Sequence, residues 1–205
     1  MQTIQYEELF DLVRALAGVN SFTGEEGSYI VDFSNRRLKQ AYDSSQYWTR
    51  YLVVGEERTV DSNNTVSFTE TSKSNIGEFL RIHKTKPFDR QSAFEYDFYV
   101  TASGANLINT NSTTTSKAFV TYKKEITFIP LTNRDEFEIP LEFFYFVAHA
   151  VYADFLRMDG QTEKAIVEER VAEGFLDQEL GKLDNIYNNN SIGKRISTYV
   201  NRSSR

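Results

Sequence analysis

Apolar positions recur along this chain with two different periods, and the change of period divides it. Leu9, Leu12, Val13 and Leu16 fall at i, i+3, i+4 and i+7, one stripe of an amphipathic helix that Gly18 ends. Thr23 and Glu26 have the spacing of a capping box. The helix they open carries Ile30, Phe33, Leu38, Ala41 and Tyr42 on its apolar face, with Arg36, Arg37 and Lys39 opposite. Tyr47 and Trp48 close the segment, and Trp48 is expected as a core plug between the helical part and the next strand. From Tyr51 the pattern turns β-like. Tyr51–Val54, Thr65–Thr69, Phe79–Lys84, Phe94–Val100, Leu107–Ile108, Ala118–Tyr122 and Glu125–Ile129 read as six or seven short strands. The run 109–116 holds only Asn, Ser and Thr and has turn chemistry, so it reads as an exposed hairpin loop.

The helical period returns at Pro140, a residue suited to a first helical turn. Phe144, Val147, Ala148, Val151 and Phe155 form its stripe. Tyr145, Phe146 and Tyr152 widen that stripe, which predicts a helix covered on more than one side. Asp159-Gly160 stops it, and Thr162 is placed to cap a last helix running to about Leu183, with Ala165, Ala172, Leu176 and Leu183 inward. So short a link makes the two helices antiparallel neighbours. Asn188-Asn189-Asn190 should break any further helix.

The pattern predicts an α+β fold: an antiparallel bundle of about four helices, with an inserted antiparallel β-sheet or small sandwich and an extended C-terminal tail. The helical domain takes residues 1–50 and 137–183, the β-rich insertion 51–136 and the tail 184–205.

Composition changes this picture in two places. Aromatics make up 14% of the 205 residues, enough for a core and for contact surfaces as well. The net charge of −6 argues against a general nucleic-acid binder, yet from Asp184 onward the balance is +3. A basic end on an acidic body reads as a segment that docks on a partner. Ile192, Ile196, Tyr199 and Val200 lie among those basic residues, and a purely solvated tail has little use for them. The absence of cysteine excludes disulfides and thiolate chemistry. With no signal-peptide pattern at the start and no apolar run long enough for a bilayer, a soluble intracellular product is expected.

Little catalytic chemistry is legible. His83 lies in a strand and reads as an exposed residue there. His149 and Asp154 are five apart on a helix, a spacing that does not converge on a metal. No Gly-x-Ser-x-Gly context and no glycine-rich phosphate loop occur. The acidic pairs Glu25-Glu26, Glu56-Glu57 and Glu168-Glu169 are adjacent residues, which point apart. No enzyme activity and no cofactor are expected.

Four segments together resemble the head-to-tail adaptor (connector) proteins of tailed, mainly short-tailed, bacteriophages, also called tail tubular protein A. They are Val13-Arg14-Ala15-Leu16-Ala17-Gly18; Phe33-Ser34-Asn35-Arg36-Arg37-Leu38 ahead of the aromatic pair; Val120-Thr121-Tyr122-Lys123; and Ile139-Pro140-Leu141 followed by Ala148–Phe155 and Gly160-Gln161-Thr162-Glu163-Lys164-Ala165. The likeness covers the helical frame, roughly residues 5–48 and 118–183, and the strands between match only in kind.

The resemblance implies a virion protein of the neck, assembled in the host cytoplasm. It implies a self-associated ring, usually of twelve copies, bound beneath the portal protein and above a tail nozzle or tail tube protein. Double-stranded DNA would pass through it without specific binding, and no membrane would be involved. The portal contact is expected on Lys194, Arg195, Ile196, Tyr199 and Arg202, and acidic residues such as Glu168 and Glu169 are expected to line the DNA channel. The alternative is a binding module that uses the β insertion, with Tyr96, Phe98 and Tyr99, for a carbohydrate or protein; those aromatics read more simply as a core face plus one exposed tyrosine.

Overall fold

The computed structural model describes the backbone of residues 2–87, 94–108 and 117–203, and side chains as far as Asp184. The Asn/Ser/Thr run 109–116 lies outside the described residues. In chain order the elements begin with β1 (Thr3–Gln5), α1 (Tyr6–Ala17) and α2 (Gly24–Asp43). Six strands follow: β2 (Leu52–Thr59), β3 (Thr65–Ser67), β4 (Ile76–His83), β5 (Phe98–Thr101), β6 (Gly104–Leu107) and β7 (Lys117–Lys124). The chain closes with β8 (Glu138–Pro140), α3 (Leu141–Met158) and α4 (Thr162–Ser203). The fold is α+β, and it forms two compact units: Met1–Ser45 with Phe128–Arg205, and Gln46–Thr127.

In the helical unit, α3 is the central element. Phe143, Phe144, Phe146, Val147, Ala148, Ala150, Val151, Ala153 and Leu156 are all buried on it, which leaves almost no solvent face. It packs against α1, α2 and α4. Burying so many apolar side chains on one element, at about 1.5–3 kcal/mol for each large one, makes α3 the spine of this core. The Thr23–Glu26 capping box forms, the Thr23 N–H donating to Glu26 Oε2 at 2.7 Å and the Glu26 N–H to Thr23 Oγ1 at 3.3 Å. A ladder of rings, Phe10–Phe22 at 5.4 Å and Phe22–Phe155 at 5.3 Å, ties α1 and its following turn to α3. Gly160, at φ 78°, ends α3: its N–H reaches Arg157 O and that of Gln161 reaches Leu156 O. This paired closure needs a residue that tolerates the left-handed conformation. Gln161 precedes α4, and Thr162, expected as the cap, is its first helical residue.

Three expectations are corrected here. The run Glu125–Ile129 is not a strand: the Ile129 N–H donates to Asn35 Oδ1 at 2.8 Å and its carbonyl accepts from Asn35 Nδ2 at 3.0 Å, so a side chain replaces a ladder. Two strands went unforeseen, because β1 and β8 have three residues each and pair antiparallel across more than 130 positions of sequence, Ile4 opposite Ile139. The tail leaves as a continuation of α4, which runs through Asn188-Asn189-Asn190 to Ser203. Each Asn costs at most about 0.7 kcal/mol relative to Ala, and continuing a helix avoids the nucleation cost.

The β unit has two antiparallel three-stranded sheets, ordered β2-β7-β4 and β3-β6-β5. Both contribute to one core that includes Val66, Phe79, Ile82, Leu107, Val120 and Tyr122. The run Phe94–Val100, expected as one strand, is shared between the sheets. Lys84 and Tyr96 donate backbone N–H groups to Phe94 O and Ile82 O beside β4, whereas Phe98–Thr101 pairs with β6. Tyr96 is therefore buried, Phe98 packs against the core and Tyr99 is 56% exposed. Trp48 belongs to this unit, is buried, and accepts from the Tyr51 and Leu52 N–H groups.

Candidate functional site

The most concentrated polar chemistry lies inside the helical unit, where α2, α3 and α4 meet. Arg37 sits one helical stripe position after Ile30 and Ser34, both fully buried, and so points inward rather than to the polar face expected for it. Asp154 falls in the same way after Phe143, Val147 and Ala150 on α3. The two side chains meet as a bidentate pair: Arg37 Nε donates to Asp154 Oδ2 at 2.8 Å, and Nη2 to Oδ1 at 2.6 Å.

Two further arginines converge on the same carboxylate. Arg36 Nη2 lies 2.7 Å from Oδ2 and Arg157 Nη1 lies 3.2 Å from Oδ1. Asp154 thus receives four contacts, the full capacity of a carboxylate. Glu169 of α4 completes the knot, paired with Arg157 and reached by Arg37 Nη2 at 3.2 Å. Gln40 accepts from Arg37 Nη1 at 2.8 Å. Three guanidiniums therefore face two carboxylates.

Burial works to raise the Asp154 pKa, but hydrogen bonds from Arg37 and Arg36 and their charge outweigh it and hold the carboxyl below its ordinary value. The hydrogen bond from Arg157, opposed by burial, lowers Glu169 as well. The hydrogen bond to Asp154, partly offset by burial, raises Arg37 further. A cleft of about 590 Å³ opens over it, lined by Phe33, Arg36, Arg37, Gln40, Asp154, Arg157 and Met158. The Arg36 guanidinium lies 5.3 Å over the Phe33 ring, and 60% of its side chain is exposed.

Next to this knot, α4 carries the other member of the acidic pair. Glu168 Oε2 is 3.0 Å from His149 Nδ1, and the His149 ring stacks on Phe175 at 5.2 Å. Phe175 also stacks on Tyr145 at 5.4 Å. Glu168 and Glu169, expected at a channel wall, are thus both engaged with α3, whereas Glu163, Glu173 and Asp177 are exposed on α4. Lys194, Arg195, Ile196, Tyr199 and Arg202 belong to the backbone of α4, and their side chains lie outside the described residues.

The β unit holds a second buried arginine that the sequence did not flag. Arg58 is fully buried in β2; its Nη2 donates to Tyr122 Oη and to Ser74 O, both at 2.6 Å, and lies 2.8 Å from Glu56. Burial, then donation to Glu56, raises the Tyr122 pKa. His83, expected as exposed, is buried at the end of β4. Among the described residues no three His, Cys, Asp or Glu side chains are grouped to hold a metal ion, and no helix is long and apolar enough to cross a membrane.

Comparison with protein-family models finds no match, and comparison with curated proteins finds none either.

Proposed function

We propose that this chain is a structural virion protein of a tailed bacteriophage: a head-to-tail adaptor whose copies form a ring joining the portal to the tail and enclosing the DNA path. The observation that carries the reading is the order of the helical frame. The pair α1–α2 opens it, a β unit is inserted, and β8, α3 and α4 return to close it. The four segments that carry the sequence resemblance fall on α1, on α2, on β7 and on β8 through the start of α4.

The length of α4 adds to this support. It has 42 residues against 18 in α3, so at about 1.5 Å per residue it outruns its antiparallel partner by roughly 36 Å. The basic residues Lys194, Arg195 and Arg202 lie on that overhang. They suit it as the portal-docking arm, with Ile196 and Tyr199 as apolar anchors. An acidic channel wall would let packaged DNA slide without counterion-releasing phosphate contacts. Glu168 and Glu169 double as partners of His149 and Arg157, so reversing Glu163, Glu173 and Asp177 is the cleaner test of that wall; it should slow DNA release.

The direct test is co-assembly with the portal ring of the same source, with the full chain and with a chain truncated after Leu183. The reading requires the full chain to decorate the portal and the truncated chain to stay folded but unbound. Decoration by the truncated chain would remove the docking arm from the proposal.

One observation favours the other reading, a carbohydrate- or protein-binding module. Phe94, Tyr99 and Val100 are each more than half exposed on the β unit. Saturable binding of a defined saccharide, lost in Tyr99→Ala, would support it.

A further inference from the structure

We propose that the cleft over Arg36, Arg37 and Arg157 is a docking site for the C-terminal carboxylate of a polypeptide that ends in an apolar residue. This inference is independent of the adaptor reading.

Charge accounting inside the cleft is the first ground. Three guanidiniums meet two carboxylates there. Asp154 already receives contacts at both oxygens from all three, so it has no acceptor capacity left for an incoming cation. Gln40 accepts from Arg37. The cleft therefore presents donors and a surplus positive charge.

The charged donors most open to a ligand belong to Arg36. Arg36 carries five N–H groups, of which Nη2 is placed on Asp154, and its side chain is 60% exposed. Arg157 is 35% exposed at the same rim. Arg157 already turns both Nη groups to Glu169, so the open planar fork is that of Arg36; it matches a carboxylate better than a spherical ion, since two parallel N–H groups can meet its two oxygens. Phe33 and Met158 add apolar surface beside it, and Met158 is 46% exposed.

Charge outside the cleft selects among anions. The chain as a whole carries −6, so a long polyanion such as a nucleic acid is repelled at a distance. A single carboxylate experiences the local surplus instead. Arg37, held by Asp154, Gln40 and Glu169, forms the floor of the site.

The test uses the full chain with N-acetylphenylalanine, which joins a carboxylate to an apolar body, and its amide as the neutral control. Inorganic phosphate is the third probe. Arginine Nε–Hε resonances are followed by NMR during titration, with thermal melting as the folding control. The expected result is saturable shifts of Arg36 and Arg157 with the acid and none with the amide. Arg36→Gln should weaken binding about ten-fold, the loss of one charge-assisted hydrogen bond, in a variant that still melts cooperatively although at a lower temperature, since it also loses a contact to Asp154. Arg36→Lys should fall between, keeping charge but losing the fork. Equal binding of acid and amide, tighter binding of phosphate, or an unaffected Arg36→Gln variant would each overturn the proposal.

Discussion

Arg37 and Asp154 stand 117 positions apart in sequence and are joined by two hydrogen bonds, of 2.8 and 2.6 Å, inside the helical unit. The whole β unit lies between them in the chain. The pair therefore fixes the opening half of the frame, α2, to its returning half, α3. Removing one member of such a pair leaves its partner buried with part of its counter-charge gone, Arg37 keeping only Glu169. Asp154→Leu should cost about 3–5 kcal/mol, whereas combining it with Arg37→Met should recover most of the loss. Urea unfolding followed by far-ultraviolet circular dichroism measures both.

Acid should act on the same knot. Asp154 and Glu169 both have lowered pKa values when folded, so the unfolded chain binds more protons at mildly acidic pH. Their contribution to stability is complete above the ordinary carboxylate range of about 4 and is lost as pH falls through the lowered folded values. The urea midpoint of the helical signal should therefore drop below about pH 4, and the drop should shrink in the Arg37→Met/Asp154→Leu variant, which lacks one of the two carboxyls.

A contrasting prediction concerns the β unit. Gly104, at φ 146°, pairs with Ser67, and a Cβ there would stand 2.1 Å from the Val66 carbonyl oxygen. Gly104→Ala must push β3 and β6 apart, at a cost of about 2 kcal/mol or more. Trp48 is the single tryptophan and lies in this unit, so its fluorescence should report the change. If the units unfold separately, the fluorescence midpoint moves while the helical midpoint stays.

The capping box gives a smaller, local effect. Thr23→Ala removes the acceptor for the Glu26 N–H and should destabilise the helical unit by about 1 kcal/mol. Thr23→Ser should restore it.

What could be read in advance followed local chemistry. The α1 stripe, the capping box and the heavily apolar α3 are set by residues within a few positions of one another, and each formed as expected. Pairings between distant residues were not legible. Ile4 finds Ile139, and Ile129 finds the Asn35 side chain, through tertiary placement that no short window contains. Arg37 and Asp154 were missed for another reason. Both lie in phase with buried apolar neighbours, Arg37 after Ile30 and Ser34, Asp154 after Val147 and Ala150, and that phase was the available signal. Reading Arg36-Arg37 as one polar face hid it, although adjacent helix positions differ by about 100°. Glu168 and Glu169 divide between His149 and Arg157 for the same geometric reason.

The measurement that bears most directly on the proposed function is made on the native source. A lysate is fractionated by size, and mass spectrometry locates this chain. Co-migration with a portal-like ring protein in a megadalton particle is the predicted result, with ring density at the particle's neck by electron microscopy. Migration near its own 23.7 kDa, with assembled particles lacking it, would contradict a structural virion role.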